Sequence, residues 1–181
     1  MTQRKYLFFL IFALLFGCVS RPAGVENEVV PSTEKELSTI DQSEPLGIEQ
    51  HSTTVLTEFF ELLSKGDYDQ AAALYGGSYD VLQGYNPDID SSNHSGLLQA
   101  ACQFNGFMCL PVRSAELIQM KDQQEFVYDV SFNNPDGTLF ELGPCCGASE
   151  EIMPTTSIFT VHVICKTQDT CKVMDLPPYV P

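Results

Sequence analysis

The chain has 181 residues and a formal net charge of −15. That length holds one domain plus a linker and leaves two full domains cramped. The acidic excess repels phosphate backbones and anionic headgroups, which argues against nucleic acid as a partner, and it reads as solubility and colloidal repulsion.

Arg4 and Lys5 precede an apolar run over residues 6–16. About ten apolar residues suffice for the core of an export signal but fall short of a bilayer of roughly 30 Å. The run ends in Leu15-Phe16-Gly17-Cys18. This resembles the lipobox of bacterial lipoproteins (Leu, a small residue, Gly or Ala, then Cys), with Phe16 bulkier than the pattern prefers. The resemblance implies removal of residues 1–17 and a diacylglycerol thioether on Cys18, the lipidation site. Acyl chains there would anchor the protein through roughly 0.8 kcal/mol per buried CH₂. The implied address is extracytoplasmic, with the membrane as a partner through the lipid. An ordinary secretory signal with a free Cys18 thiol, or an uncleaved signal anchor, are the alternatives. All 24 acidic residues lie beyond Cys18, whereas two of the nine basic ones precede it, so the processed chain carries a formal charge near −17.

Residues 18–50 are rich in Glu, Ser, Thr and Pro and almost without aromatics. Such a segment cannot bury enough apolar surface to offset its ordering entropy and reads as a flexible tether reaching about 30 Å at 5 to 6 Å × √n. The folded domain is expected over 51–181.

Val55, Leu56, Phe59, Phe60, Leu62 and Leu63 fall on one helical face over 54–65. Gly66 suits a helix stop and Asp67 a following cap. Tyr68, Ala71, Ala72, Leu74 and Tyr75 keep helical spacing until Gly76-Gly77 breaks it. A further turn is expected over 78–85, and Ser95 is placed to cap a helix through Cys102. From Pro111 the period changes. Phe126, Tyr128, Val130 and Phe132 alternate with Val127, Asp129, Ser131 and Asn133, the pattern of a half-buried strand. Asn134-Pro135-Asp136-Gly137 signals a turn into a strand over 138–142. Further strands are expected over 112–121, 158–165 and 171–176. Helices first and an antiparallel sheet after them make the class α+β.

Setting Cys18 aside, Cys102, Cys109, Cys145, Cys146, Cys165 and Cys171 form an even set of disulfide candidates. Cys165 and Cys171 bracket a polar loop and can close the neck of a hairpin. A bond between adjacent Cys145 and Cys146 needs a strained eight-membered ring, so links from these two to Cys102 and Cys109 are the expectation. The spacing of those four, with six residues between Cys102 and Cys109 and none between Cys145 and Cys146, fits zinc poorly.

The segment 54–75, with Phe59-Phe60-Glu61-Leu62-Leu63-Ser64-Lys65-Gly66-Asp67-Tyr68-Asp69-Gln70-Ala71-Ala72 at its centre, resembles the opening helices of NTF2-like domains. The resemblance is specific over about twenty residues and topological beyond them. It implies a cone in which N-terminal helices lean on a curved antiparallel sheet of 4–6 strands, here braced by disulfides. It also implies a non-catalytic binding or scaffold role, with a small apolar ligand or another envelope protein as partner. The alternative is an acid-base isomerase or cyclase, because some members of that superfamily use an Asp or His base and a Tyr or acid donor inside the cone. The residues available for that chemistry are Tyr79, Asp88, Asp90, His94 and Tyr128, with Tyr85 and His162 behind them. None sits in a motif that marks it as catalytic, and His162 alternates with Val161 and Val163 as on a solvated sheet face. The calcium-loop reading of Asp88-Ile89-Asp90 fails because Asn93 and Gln99 stand where Gly and Glu are needed. No phosphate loop or nucleophile elbow occurs, and no metal or cofactor is expected. Tyr68, Tyr75, Phe104, Phe107, Phe126 and Phe132 read as core.

Overall fold

A computed structural model describes residues 47–167 and 169–180. The signal segment 1–17, lipidation at Cys18 and all of the expected tether but its last four residues lie outside the described residues. Among the described residues four helices, α1 (Ile48–Lys65), α2 (Tyr68–Leu74), α3 (Asp80–Tyr85) and α4 (His94–Phe104), precede four strands. The strands are β1 (Val112–Lys121), β2 (Glu125–Phe132), β3 (Phe159–Thr167) and β4 (Thr170–Val173). They form one antiparallel sheet in the order β1-β2-β3-β4, so the α+β class and a four-stranded sheet are observed. No helix among the described residues is long and apolar enough to cross a membrane.

α1 starts at Ile48, three residues before the expected domain boundary at 51. Its spacing explains its packing: Val55, Leu56, Phe59, Phe60 and Leu63 make one apolar stripe and all are buried. Ser52 lies on the same stripe without any exposure, and Ile48 packs against the core from the first turn. The helix ends as its sequence dictates. Gly66 takes φ 83, and the Gly66 and Asp67 N–H groups reach back to the Leu63 and Leu62 carbonyls, a Schellman closure that needs a left-handed residue. At α4 the cap is Asn93 rather than Ser95. Its Oδ1 accepts the Gly96 N–H at 3.0 Å, which starts the helix two residues earlier than expected.

The inner face of the sheet carries Phe126, Tyr128, Val130 and Phe132 of β2, with Val161 and Val163 of β3 and Val173 of β4, all buried. β2 differs from the half-buried expectation because Val127 and Ser131, on its other face, are buried too. The cause is its central position between β1 and β3, where Ser131 shares a 2.6 Å hydrogen bond with Ser114 across the sheet. Gln124 N–H bonds the Lys121 carbonyl at 3.1 Å to close the β1–β2 turn.

The expected strand over 138–142 does not form. The turn itself is as read: Gly137 has φ 82, its N–H bonds the Asn134 carbonyl, and Asp136 Oδ1 accepts from Thr138 N and Oγ1. The chain then stays beside the end of β2 through the Asn133 and Leu139 bridge and a bond from the Phe140 N–H to the Phe132 carbonyl at 2.9 Å, and departs to a second bridge between Leu142 and Thr156. Gly143-Pro144 follows, and proline brings no N–H for a ladder.

Cys165 and Cys171 face each other across β3 and β4 and are bonded, as expected. The other expected links are not formed. Cys102 bonds Cys109, with Cα atoms 5.5 Å apart, and Cys145 and Cys146 are free. α4 ends at Phe104, and Gly106 at φ 78 turns the chain back so that Cys109 returns to the helix it just left. Such a loop restricts the unfolded chain by about 2.5 kcal/mol in the chain-entropy model. Phe104, expected in the core, is 79% exposed, and Phe107 takes the buried place after the turn.

The turn also receives the C-terminal segment. Met108 N–H bonds the Pro178 carbonyl at 2.7 Å and Val180 N–H bonds the Gly106 carbonyl at 2.9 Å. A Cβ on Gly106 would stand 2.3 Å from the Val180 carbonyl oxygen, whereas one on Gly137 would meet nothing within 4 Å. Gly106→Ala should therefore lose about 2 kcal/mol or more, from a left-handed backbone and a backbone clash together, and Gly137→Ala about 1 kcal/mol from the backbone alone. Urea midpoints at unchanged m-value measure both; equal losses would contradict the close approach at Gly106.

Candidate functional site

Five residues are the candidates of the acid-base alternative, and of these the fold brings Tyr79 and His94 together. Tyr128 sits at the centre of β2, 1% exposed. Its hydroxyl lies 2.5 Å from Ser52 Oγ and 3.0 Å from Thr53 Oγ1, while Ser52 Oγ and Thr53 Oγ1 donate to the Glu49 carbonyl at 2.8 and 3.0 Å. This network satisfies a hydroxyl that the aromatic core would otherwise bury without a partner. It ties the first turn of α1 to the central strand, a structural use that leaves Tyr128 away from solvent.

Asp88 and Asp90 are exposed on the loop between α3 and α4. Asp90 Oδ1 accepts from Ser92 Oγ at 2.6 Å and from Ser92 N at 2.8 Å, and these bonds hold its carboxyl below the usual range. The carboxylate serves a local turn. Among the described residues, no hydrogen bond joins it or Asp88 to Tyr79 or His94.

Tyr79 and His94 do meet. Their rings stack with centroids 4.0 Å apart and planes 6° from parallel. Tyr79 is in turn edge-on to Tyr75 at 5.0 Å, and Tyr75 stacks on Phe59 at 5.7 Å, so a run of four rings leads from the core stripe of α1 to exposed His94. Tyr75 donates to the Ser78 carbonyl at 3.1 Å, which fixes the turn between α2 and α3. The Tyr79 hydroxyl is buried and has no hydrogen-bond partner, and burial pushes its pKa up to about 12. A phenol so far above neutrality holds its proton and is a poor general base. Stacking also places the imidazole face, not a ring nitrogen, against the phenol.

A pairing that the sequence did not reveal joins β3 to the chain beyond β4. Asp175 Oδ2 accepts from the His162 backbone N–H at 2.6 Å and lies 2.8 Å from His162 Nδ1. Both side chains are about one-third exposed. The carboxylate takes over the β3 ladder where β4 ends at Val173, and it orients the imidazole as it does so. Its only signal in the sequence was a carboxylate two residues past a strand. Val127 opposite, and Thr160 and Ile164 on either side along the strand, supply no activated nucleophile to this face. Among the described residues no group of three or more His, Cys, Asp or Glu side chains is placed to hold a metal ion.

Besides a groove of about 870 Å³ along the outer face of α1, lined by polar residues between Gly47 and Glu61, two smaller hollows lie on the surface of the described residues. One, of about 310 Å³, is lined by Gly76, Ile164, Lys166, Lys172 and Met174, and Lys172 Nζ reaches the Ala73 carbonyl beside it. The other, of about 360 Å³, is lined by Tyr85, Phe104, Asn105, Gly106, Tyr179 and Val180. Its rings belong to a cluster in which Tyr85, Phe107 and Tyr179 lie with centroids 5.2 to 6.4 Å apart.

Comparison with protein families, with curated proteins and with solved structures yields no match to this chain.

The two tyrosines should respond to loss of their hydroxyls with opposite signs. Tyr128→Phe strands part of a buried network and should cost about 1 kcal/mol, whereas Tyr79→Phe removes an unpartnered hydroxyl and should be neutral or stabilising at pH 7. The phenol of Tyr79 ionises near 10 when unfolded and near 12 when folded. The stability it contributes is complete below pH 10 and is lost as pH rises towards 12, so Tyr79→Phe should flatten the decline over that window. Urea unfolding at pH 7 and through pH 10 to 12 measures both effects; a large loss at pH 7 from Tyr79→Phe would assign its hydroxyl a partner.

Proposed function

We propose that this protein is a bacterial lipoprotein, anchored outside the cytoplasm through Cys18, whose NTF2-like domain serves as a non-catalytic scaffold for another protein of the cell envelope. The observation that carries the reading is the packing of the interior. An open cone would keep room for a ligand between helices and sheet, but Phe59, Phe60, Leu97, Leu98, Phe126 and Phe132 occupy that space without exposure. Phe132 packs edge-on to Phe60 at 4.9 Å and tilted against Phe159 at 5.8 Å, which favours surface recognition over carriage of a small apolar ligand. The surface offers a site of suitable chemistry. Tyr85 is 49% exposed, Phe104 79% and Tyr179 38%, and they border one hollow in an otherwise strongly acidic molecule. Aromatic side chains of this kind anchor protein interfaces because they bury large areas at small entropic cost. The isomerase or cyclase alternative requires a base and an acid facing one cavity, whereas Tyr79 meets His94 ring to ring and Tyr128 is committed to Ser52 and Thr53, which weighs against it.

Mass spectrometry of the membrane fraction should find an N-terminal diacylated Cys18, and a photo-crosslinking residue in place of Phe104 should capture one discrete envelope protein in intact cells. Tyr179→Glu should abolish that capture without lowering the thermal midpoint by more than a few degrees. An intact Met1 on cytosolic material would overturn the anchored reading. A small molecule retained in one-to-one ratio by the purified domain in native mass spectrometry would replace the scaffold reading with ligand carriage.

A further inference from the structure

Four of the six cysteines beyond Cys18 are used in the Cys102–Cys109 and Cys165–Cys171 bonds. The remaining two, Cys145 and Cys146, are adjacent in sequence and free, and they place their sulfurs 2.9 Å apart, inside van der Waals contact. The backbone around them is shaped for this approach. Cys146 has φ 59 and Gly147 φ 84, two successive left-handed residues, and the Ala148 N–H closes the turn on the Cys145 carbonyl at 2.9 Å. A β-carbon-bearing residue at φ 59 is held there at a cost of about 1 to 2 kcal/mol. The base of the loop is pinned by the reciprocal Leu142 and Thr156 backbone bonds at 2.8 and 3.0 Å. Cys146 is exposed and Cys145 half-buried, so the two differ in access. The hydrogen bond with Cys146 pushes the Cys145 thiol up, and the outer sulfur is the one open to a reagent.

We propose that Cys145 and Cys146 are a redox-active vicinal dithiol, which closes reversibly to an intraloop disulfide by exchange with an external disulfide. The exposed Cys146 thiolate attacks one sulfur of the external disulfide, forms a mixed disulfide and expels the first external thiolate, which takes a proton. Cys145, deprotonated in turn, attacks the Cys146 sulfur and expels the second external thiolate, so one dithiol is oxidised and one disulfide is reduced to two thiols. The chain constraint that disfavours a bond between neighbours in an extended segment is met in advance by the turn. Ring strain makes this bond the most easily reduced of the three, because Cys165 and Cys171 are buried and Cys102 and Cys109 half-buried.

The test uses the purified full chain equilibrated in glutathione buffers from reducing to oxidising, quenched in acid, alkylated with N-ethylmaleimide and read by peptide mass spectrometry. The peptide carrying Cys145 and Cys146 should pass from doubly alkylated to unalkylated and lighter by two hydrogens, at buffer compositions that leave the other two bonds closed. Cys145→Ser should instead accumulate glutathione on Cys146. The wild-type titration decides the matter by itself if that variant does not fold. A pair that stays doubly alkylated throughout, a lasting glutathione adduct on the wild-type chain, or a bond from either sulfur to Cys102 or Cys109 would each overturn the proposal. None of these readouts depends on Cys18 or on a partner protein, so the result stands apart from the scaffold reading.

Discussion

The docking of the α1 stripe on the central strand β2 is the constraint on which the rest of the structure depends. Phe59 and Phe60 pack edge-on to each other at 5.0 Å, and Phe60 reaches Phe132 at 4.9 Å, so helix and strand share one aromatic cluster. Each buried phenyl contributes about 1.5 to 3 kcal/mol by leaving water. That attraction is non-directional. Direction comes from Tyr128, whose hydroxyl must find Ser52 in a core that offers almost nothing else polar. A one-residue slip of β2 would exchange Tyr128 for Val127 or Asp129 and bring a carboxylate towards the phenyl rings. Apolar packing therefore supplies the stability, and one hydroxyl network supplies the register.

Away from that centre, short covalent and backbone ties take over. The Cys165–Cys171 bond lies within the hairpin of the two shortest-range strands, and Cys102–Cys109 fixes the end of α4 beside the turn that receives the C-terminal segment. Both close short loops, of sequence separation 7 and 6. The segment between Leu142 and Thr156 has only its own turns and the bridge at its base. A loop held so lightly can accept the local rearrangement that thiol chemistry demands, at small cost to the core.

The same packing determines where function can reside. Phenylalanine and leucine fill the space between helices and sheet, so the polar groups able to act on anything lie at the surface. The ring series from Phe59 to His94 shows the transition within a few residues, from full burial through an orphaned phenol to an exposed imidazole. The His162 and Asp175 pair has the orienting half of a catalytic arrangement and is spent on finishing a strand. Tyr85 and Tyr179 pack on Phe107 with one side and stay exposed on the other beside Phe104, and an exposed aromatic hollow on an acidic molecule is the feature most in need of a partner.

Much of the fold was legible because local physical chemistry determines it. The 3.6-residue stripe of α1, the glycine stop at Gly66, the break at Gly76-Gly77 and the turn at 134–137 are each set by residues within a few positions, and β1 runs over the expected 112–121. The Cys165–Cys171 bond follows from a hairpin that its own loop defines. Other features were decided only when distant segments met. Burial of both faces of β2 depends on its neighbours in the sheet, loss of the strand over 138–142 on where the chain must go after its turn, and the exposure of Phe104 on the reversal at Gly106. The choice of Cys109 over Cys145 and Cys146 as the partner of Cys102 follows from that same reversal, because sulfurs bond where the backbone delivers them and spacing alone does not say where that is. Sequence by itself settled which segments would be helices and most of the strands, since those choices are local. Whether Tyr79, His94 and Tyr128 would share a cavity was a question of packing, and only the tertiary structure could answer it.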